Sequence, residues 1–300
     1  MIGIPIPYDV LRLVWWALLG VLLIGFAVLD GYDLGSAILL PFIGRGDAER
    51  RQIRETVEAN WEGHQVWFIL GGGASFAAWP LLYAASFSGF YIAMFLVLLS
   101  LIVRPVGFTF RDKLPGYRWR EFWDWGMALG GIVAALVFGV AFGNLFLGVP
   151  FGFDSEMRLA YTGNFFQLLN PFSLVAGLLS VAMLAMHGAT WLALKTDGAV
   201  AARAGQAACI LGLATALIFA GSGAWVASID GYTISGALSH VAPSNPLAKT
   251  VMRTAGSWLA NFTTWPPLIA APIIGIGGAL LVAVIPAQRV RRLTFLASAL

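Results

Sequence analysis

Cysteine is nearly missing from this sequence. One residue, Cys209, stands among 300 and lies in an apolar stretch, which excludes an intrachain disulfide and any thiolate-ligated iron–sulfur cluster. Charge is scarce as well: 11% of residues are Asp, Glu, Lys or Arg, where a soluble domain carries about 25%. With 59% hydrophobic residues and a mean hydropathy of +0.81, the composition excludes an ordinary soluble globule and defines a polytopic membrane protein. The net charge of +3 does not point to nucleic acid, because basic residues in such a chain mark loops. Histidine is rare too. Of His64, His187 and His240, only His187 lies well inside an apolar run. Haem ligation requires several axial ligands at matched depths, and Met94, Met183 and Met186 read as packing filler, so no cofactor or metal site is expected in this chain.

What is present is a series of long apolar runs. Stretches able to cross about 30 Å of hydrocarbon fall at 11–40, 66–87, 89–110, 122–148, 171–193, 205–228 and 261–286. The expected fold is all-α: membrane helical bundles with seven full spans in a single domain. An eighth span begins at "LTFLASAL" and stops at Leu300, too short to cross, so C-terminal helices are expected to be missing. The first run, Leu11 to Leu29, is longer than a signal peptide's apolar region of about 7–15 residues and reads as a retained helix. Thirteen basic residues, among them Arg50, Arg54, Arg111, Arg120, Lys195, Arg203, Arg289 and Arg291, fall on one side of these spans. Four, Arg12, Arg158, Lys249 and Arg253, fall on the other. By the positive-inside rule the N-terminus lies outside the cytoplasm.

Glycines at Gly31/Gly35, Gly126/Gly130 and Gly139/Gly143, and the run Gly71–Gly73, have the spacing that lets membrane helices approach closely, so no phosphate-binding loop is implied. Twelve tryptophans, Trp61, Trp67 and Trp79 among them, suit interfacial belts. The longest external segment, 229–260, is too polar to span, is interrupted by Pro243 and Pro246, and reads as an ordered surface loop.

Two carboxylates break the first apolar run. Asp30 and Asp33 in "GFAVLDGYDLGSAILLPF" are three residues apart and share a helix face, with Glu62 and His64 following after an amphipathic connection. Together with Asp124 they collect toward the cytoplasmic ends of spans one, two and four. Ionised acids in a membrane must be solvated, paired or used. One role for them is helix capping or pairing with Arg104 and Arg111. The other is a proton-conducting site in a water-accessible cavity, with Asp30 and Asp33 its centre.

Eight blocks in order, "GFAVLDGYDLGSAILLPF", "NWEGHQVWFILGGGASFAAWPLLYAASFSGFY", "RPVGFTFRDKL", "WDWG", "VAFGNLFLGVPF", "YTGNFFQLLNPFSLVAGLLSVAMLAMHGATWLALKT", "IDGY" and "SNPL", cover essentially the whole chain. Together they resemble subunit II of the cytochrome bd family of quinol oxidases, including its cyanide-insensitive branch. The resemblance implies a bacterial inner-membrane complex that oxidises quinol and reduces oxygen to water. Haems b and d and the quinol-oxidation loop would belong to the partner subunit I, and this chain would be inactive alone. It implies nine helices, of which this sequence would hold the first seven. It carries a cytoplasmic proton route onto Asp30, Asp33 and Glu62, with Trp61 and Arg104 in support, and an oxygen passage near Trp67. Relatives often have Asp at position 62, Asn at 64 and an acid at 109, where this chain has Glu62, His64 and Thr109; Asp112 is the alternative carrier for the last. Small accessory subunits, bound lipid and a bound quinone are compatible with the resemblance. A proton-coupled secondary transporter is the rival reading, although no internal repeat of broken helices is apparent.

Overall fold

A computed structural model describes residues 6–235, 245–285 and 290–300. His240, Pro243 and Arg289 lie outside the described residues. The apolar runs become helices because hydrocarbon offers backbone groups no partner, and a helix pairs them within one segment. Helix α1 (Tyr8–Ile43) is 36 residues long and carries both Asp30 and Asp33. The amphipathic α2 (Asp47–Glu55) is followed by α3 (Trp61–Ala78), α4 (Pro80–Gly89), α5 (Tyr91–Phe110) and α6 (Tyr117–Leu147). Next come α7 (Pro171–Lys195), α8 (Gly198–Val226), α9 (Ser257–Thr264), α10 (Ala270–Val284) and the short α11 (Arg291–Ser298).

Among the described residues six helical segments are long and apolar enough to cross a membrane, one fewer than the seven expected from the sequence. The difference is the second run, 66–87, which is divided between α3 and α4. Pro80 has no N–H with which to continue a helix, and Trp79 before it leaves the helical conformation (φ −139°, ψ 71°), in line with the bias proline imposes on the residue before it. The first turn of α3 also holds Glu62 and His64, so this segment is a broken span with a polar entrance.

The described residues of 229–260 form regular structure rather than only a loop. Strand β3 (Gly231–Ser235) pairs antiparallel with β4 (Thr250–Thr254), and a smaller ribbon joins β1 (Phe151–Phe153) to β2 (Leu159–Tyr161). The last carbonyls of α6 lack intrahelical partners, and this segment supplies them. Tyr232 and Arg253 donate to Leu147 O at 3.0 and 2.7 Å, and Trp258 donates to Phe146 O at 3.1 Å.

Helix α7 is central, packing on α1, α6, α8 and α11. Its crossing with α1 is made by two glycines. A Cβ on Gly188 would lie 2.3 Å from Gly35 C, and one on Gly35 would lie 2.0 Å from Leu184 O. Gly139 meets α7 in the same way, 2.3 Å from Ala176 O, whereas Gly72 and Gly73 have nothing within 4 Å and do not pack a helix. At the arginine-rich end, Asp124 accepts from Arg111 at 2.6 Å and from Arg50 at 3.0 Å, while Arg111 also reaches Asp47 at 2.9 Å. Arg54 binds Asp112 at 2.7 Å, so Asp124 and Asp112 belong to a layer of ion pairs that ties α2 to the ends of α5 and α6. Glu49 links α2 to α8 through Arg203 at 2.5 Å and accepts from Arg45 N at 2.8 Å.

Two outcomes follow for stability. Gly188→Ala forces α1 and α7 apart and is expected to cost about 1–3 kcal/mol, the range for overpacked interiors. Thermal unfolding of the purified complex checks this, with Gly72→Ala, at an open position, leaving the midpoint unchanged. The hydrogen bonds from Arg203 and Arg45 hold Glu49 below the usual carboxylate range. A lowered folded pKa means the stabilisation is complete above the ordinary Glu pKa and is lost as pH falls through the folded value. Because the pair is solvent-screened, Glu49→Gln should flatten the acid side of the stability–pH curve by less than about 1 kcal/mol.

Candidate functional site

The two aspartates of α1 are sealed from solvent, with side-chain exposures of 0% for Asp30 and 1% for Asp33. Each is held by a specific partner. Asp30 is paired with Arg104 of α5, itself 1% exposed, whose Nη2 donates to Oδ1 at 3.0 Å and to Oδ2 at 3.1 Å. Arginine stays charged in any protein environment, so Arg104 brings a full positive charge against Asp30. Burying two opposite charges together costs far less than burying either alone.

Asp33, three residues on, meets His64. Its Oδ2 lies 2.7 Å from Nδ1, with one proton between them. The imidazole's other nitrogen, Nε2, is 3.4 Å from the hydroxyl of Tyr32. Asp33 Oδ1 and Arg104 Nε find no hydrogen-bond partner among the described residues. The His64 side chain is 15% exposed, so it connects the sealed carboxylate to the outside of the bundle. Tyr32 is fixed in turn by stacking on Trp191 of α7, with ring centroids 4.1 Å apart.

The remaining residues singled out in the sequence are arranged as follows. Trp67 packs its ring over Gly25, where a Cβ would be 2.4 Å from the indole. Trp61 contacts Phe108 at 6.1 Å rather than the acids. Glu62 is exposed and makes no hydrogen bond or ion pair among the described residues. Helix geometry gives the reason: positions 62 and 64 point about 200° apart, so turning His64 onto Asp33 turns Glu62 outward. Thr109 is exposed, and Asp112 is occupied by Arg54 and Arg111.

His64 was not among the site residues foreseen from the sequence. Its signal was present: His64, Trp67, Phe68 and Gly71 stand at i, i+3, i+4 and i+7, and all four face α1, against Asp33, Gly25, Phe26 and Leu23. His187, the intramembrane histidine, has both ring nitrogens engaged, Nδ1 with Ser298 Oγ at 2.8 Å and Nε2 with Val28 O at 2.9 Å. Among the described residues no group of three or more His, Cys, Asp or Glu side chains could hold a metal ion.

The fold and site thus define a multi-pass helical membrane protein whose buried chemistry is charge pairing and proton sharing. The family model for subunit II of the cytochrome bd terminal oxidase matches residues 11–300. The chain is 54% identical over 272 residues to the cytochrome bd-I ubiquinol oxidase subunit 2 of Escherichia coli K12, covering 90% of this chain and 72% of that protein. It is 49% identical over 276 residues to a probable cytochrome oxidase subunit 2 of Haemophilus influenzae, covering 92% and 73%. The bd oxidase structure from Geobacillus thermodenitrificans shares the fold, with a TM-score of 0.67 at 12% identity, over 96% of this chain and 85% of that one. The chain therefore belongs to the cytochrome bd terminal oxidase subunit II family. It is a membrane subunit of a terminal oxidase, and the secondary-transporter alternative has no support.

Replacing Arg104 with Gln strands a buried carboxylate and is expected to cost about 3–5 kcal/mol, the typical loss when one member of a buried pair is removed and a large part of a domain's margin. Asp30→Asn combined with Arg104→Gln should recover most of that loss. A double-mutant cycle on the denaturation of the purified complex measures the coupling.

Proposed function

We propose that this chain serves a quinol:oxygen oxidoreductase of the cytochrome bd type by supporting the haem-bearing subunit I and by feeding it protons through Asp30, Asp33 and Glu62. Oxygen reduction consumes protons. A carboxylate inside an apolar bundle is retained at a cost of about 2.5–3.5 kcal/mol on insertion scales, which favours a use for it. The observation that carries the reading is Asp33: sealed, 2.7 Å from an imidazole, and with its second oxygen free to accept. Asp30, paired with Arg104, lies one helical turn away on the same face. Glu62, exposed at the polar entrance of α3, stands as the collecting carboxylate, and Trp67, packed on α1 at Gly25, is the candidate flank of an oxygen passage.

In this reading the entrance lies at the cytoplasmic end and the N-terminus outside, in the bacterial inner membrane, an orientation that the excess of basic residues at this end supports. Uptake from that side makes turnover electrogenic. Haems b and d sit on subunit I in this reading, in keeping with a His187 whose two nitrogens are already bonded. Large apolar side chains left uncovered along α1, such as Leu13, Trp16, Val21 and Ile24, suit contact with subunit I or lipid. Quinol and oxygen are substrates of the complex rather than ligands of this chain, and small accessory subunits complete it.

Asp33→Asn and Glu62→Gln keep shape while removing the titratable proton. Both are expected to slow oxygen consumption per assembled complex, more at high pH, where protons are scarce, than at low pH, with haem content unchanged. Full turnover together with full charge separation per electron in proteoliposomes, in both variants, would make the acids structural.

A further inference from the structure

We propose that His64 is the residue that passes protons into Asp33. The inference rests on the uptake path above and names its relay, a role that no carboxylate of the expected set fills. Glu62, the carboxylate expected to precede Asp33, is turned outward and touches neither aspartate. His64 is the only side chain from another helix that bonds Asp33 among the described residues, and it is the partly exposed member of the pair.

The imidazole has two nitrogens for two tasks. Nδ1 is committed to Asp33 Oδ2 at 2.7 Å, the short end of the hydrogen-bond range, so a proton has a direct path between the two atoms. Nε2 has only the Tyr32 hydroxyl at 3.4 Å, at the limit of a hydrogen bond, so a water-borne proton competes for it readily. The step balances as follows. A proton from water adds to Nε2 and the ring becomes imidazolium. The Nδ1–H bond then breaks as an O–H bond forms on Asp33 Oδ2. The ring is left neutral with its hydrogen on Nε2, where Tyr32 accepts it. Asp33 is left as a neutral carboxylic acid inside the bundle.

Several features hold this geometry and none of them is replaced by a carboxylate at position 64. The stripe Trp67, Phe68 and Gly71 locks α3 against α1 and sets the ring's approach. Tyr32 packs edge-on to the imidazole with centroids 5.3 Å apart, and is itself held by Trp191. Arg104 and Asp30 are the other charged groups facing the site, and they neutralise one another. An asparagine at this position would keep a donor toward Asp33 but could not take up a proton.

The test uses the assembled oxidase carrying His64→Ala, His64→Asn or Asp33→Asn, with oxygen consumption and charge separation measured per complex. His64→Ala is expected to lower turnover on the order of tenfold or more, as loss of an acid–base group does. Added imidazole should restore it in a saturable manner, and His64→Asn should be slow and not rescued. If His64→Ala is slow and imidazole fails to restore it while His64→Asn turns over fully, His64 merely positions Asp33 and the relay is overturned. Full turnover in His64→Ala overturns it too. In that case a slow Asp33→Asn leaves the uptake path standing without His64, and a fully active Asp33→Asn removes the path as well. Should His64→Ala fail to assemble, His64→Asn decides: full turnover refutes the relay, and a slow complex with normal haem content supports it.

Discussion

The ion pair between Asp30 and Arg104 is the constraint around which this bundle is organised. Neither charge can be left alone at 0% and 1% exposure, so α1 and α5 must meet at one register. That register puts Asp33 one helical turn further along α1, opposite the first turn of α3. A second requirement, close approach of α1 and α7 at Gly35 and Gly188, sets the other side of α1. Between them these contacts leave α1 little freedom to slide, and the carboxylates are delivered to fixed partners.

The second span is divided at Pro80 into α3 and α4. The rotation of α3 leaves Glu62 exposed and turns His64 onto Asp33. The arginine-rich layer formed by Arg50, Arg54, Arg111 and Arg120 with Asp47, Asp112 and Asp124 ties down this end of the bundle. Acids that look equivalent in the sequence therefore divide into two kinds. Asp124 and Asp112 are consumed by arginines, while Asp33 meets a group that can gain and lose a proton.

Short α11 shows how much a few residues contribute. Phe295 stacks on the His187 ring at 5.0 Å, and Ser298 bonds its Nδ1. Eight residues too short to span a membrane thus complete the surroundings of the one histidine deep in a helix. The ribbon β3–β4 does comparable work at the other end by satisfying the last carbonyls of α6.

The membrane class, the helical elements and their approximate limits, and the presence of two costly acids in α1 were all determined by the sequence alone. Each depends on local properties: run length against bilayer thickness, three-residue spacing on one helix face, and charge density. Family membership was legible for a similar reason, since long ordered blocks persist in the linear sequence. The break in the second span has a local signal in Pro80, which a hydropathy run does not register. Partner choice was decided only by the tertiary structure. Arg104 lies 74 residues from Asp30 and His64 lies 31 from Asp33, and no local rule says which of several acids each will reach. Helix rotation made that decision: two residues along α3 reverse the direction of a side chain, so Glu62 faces out and His64 faces in.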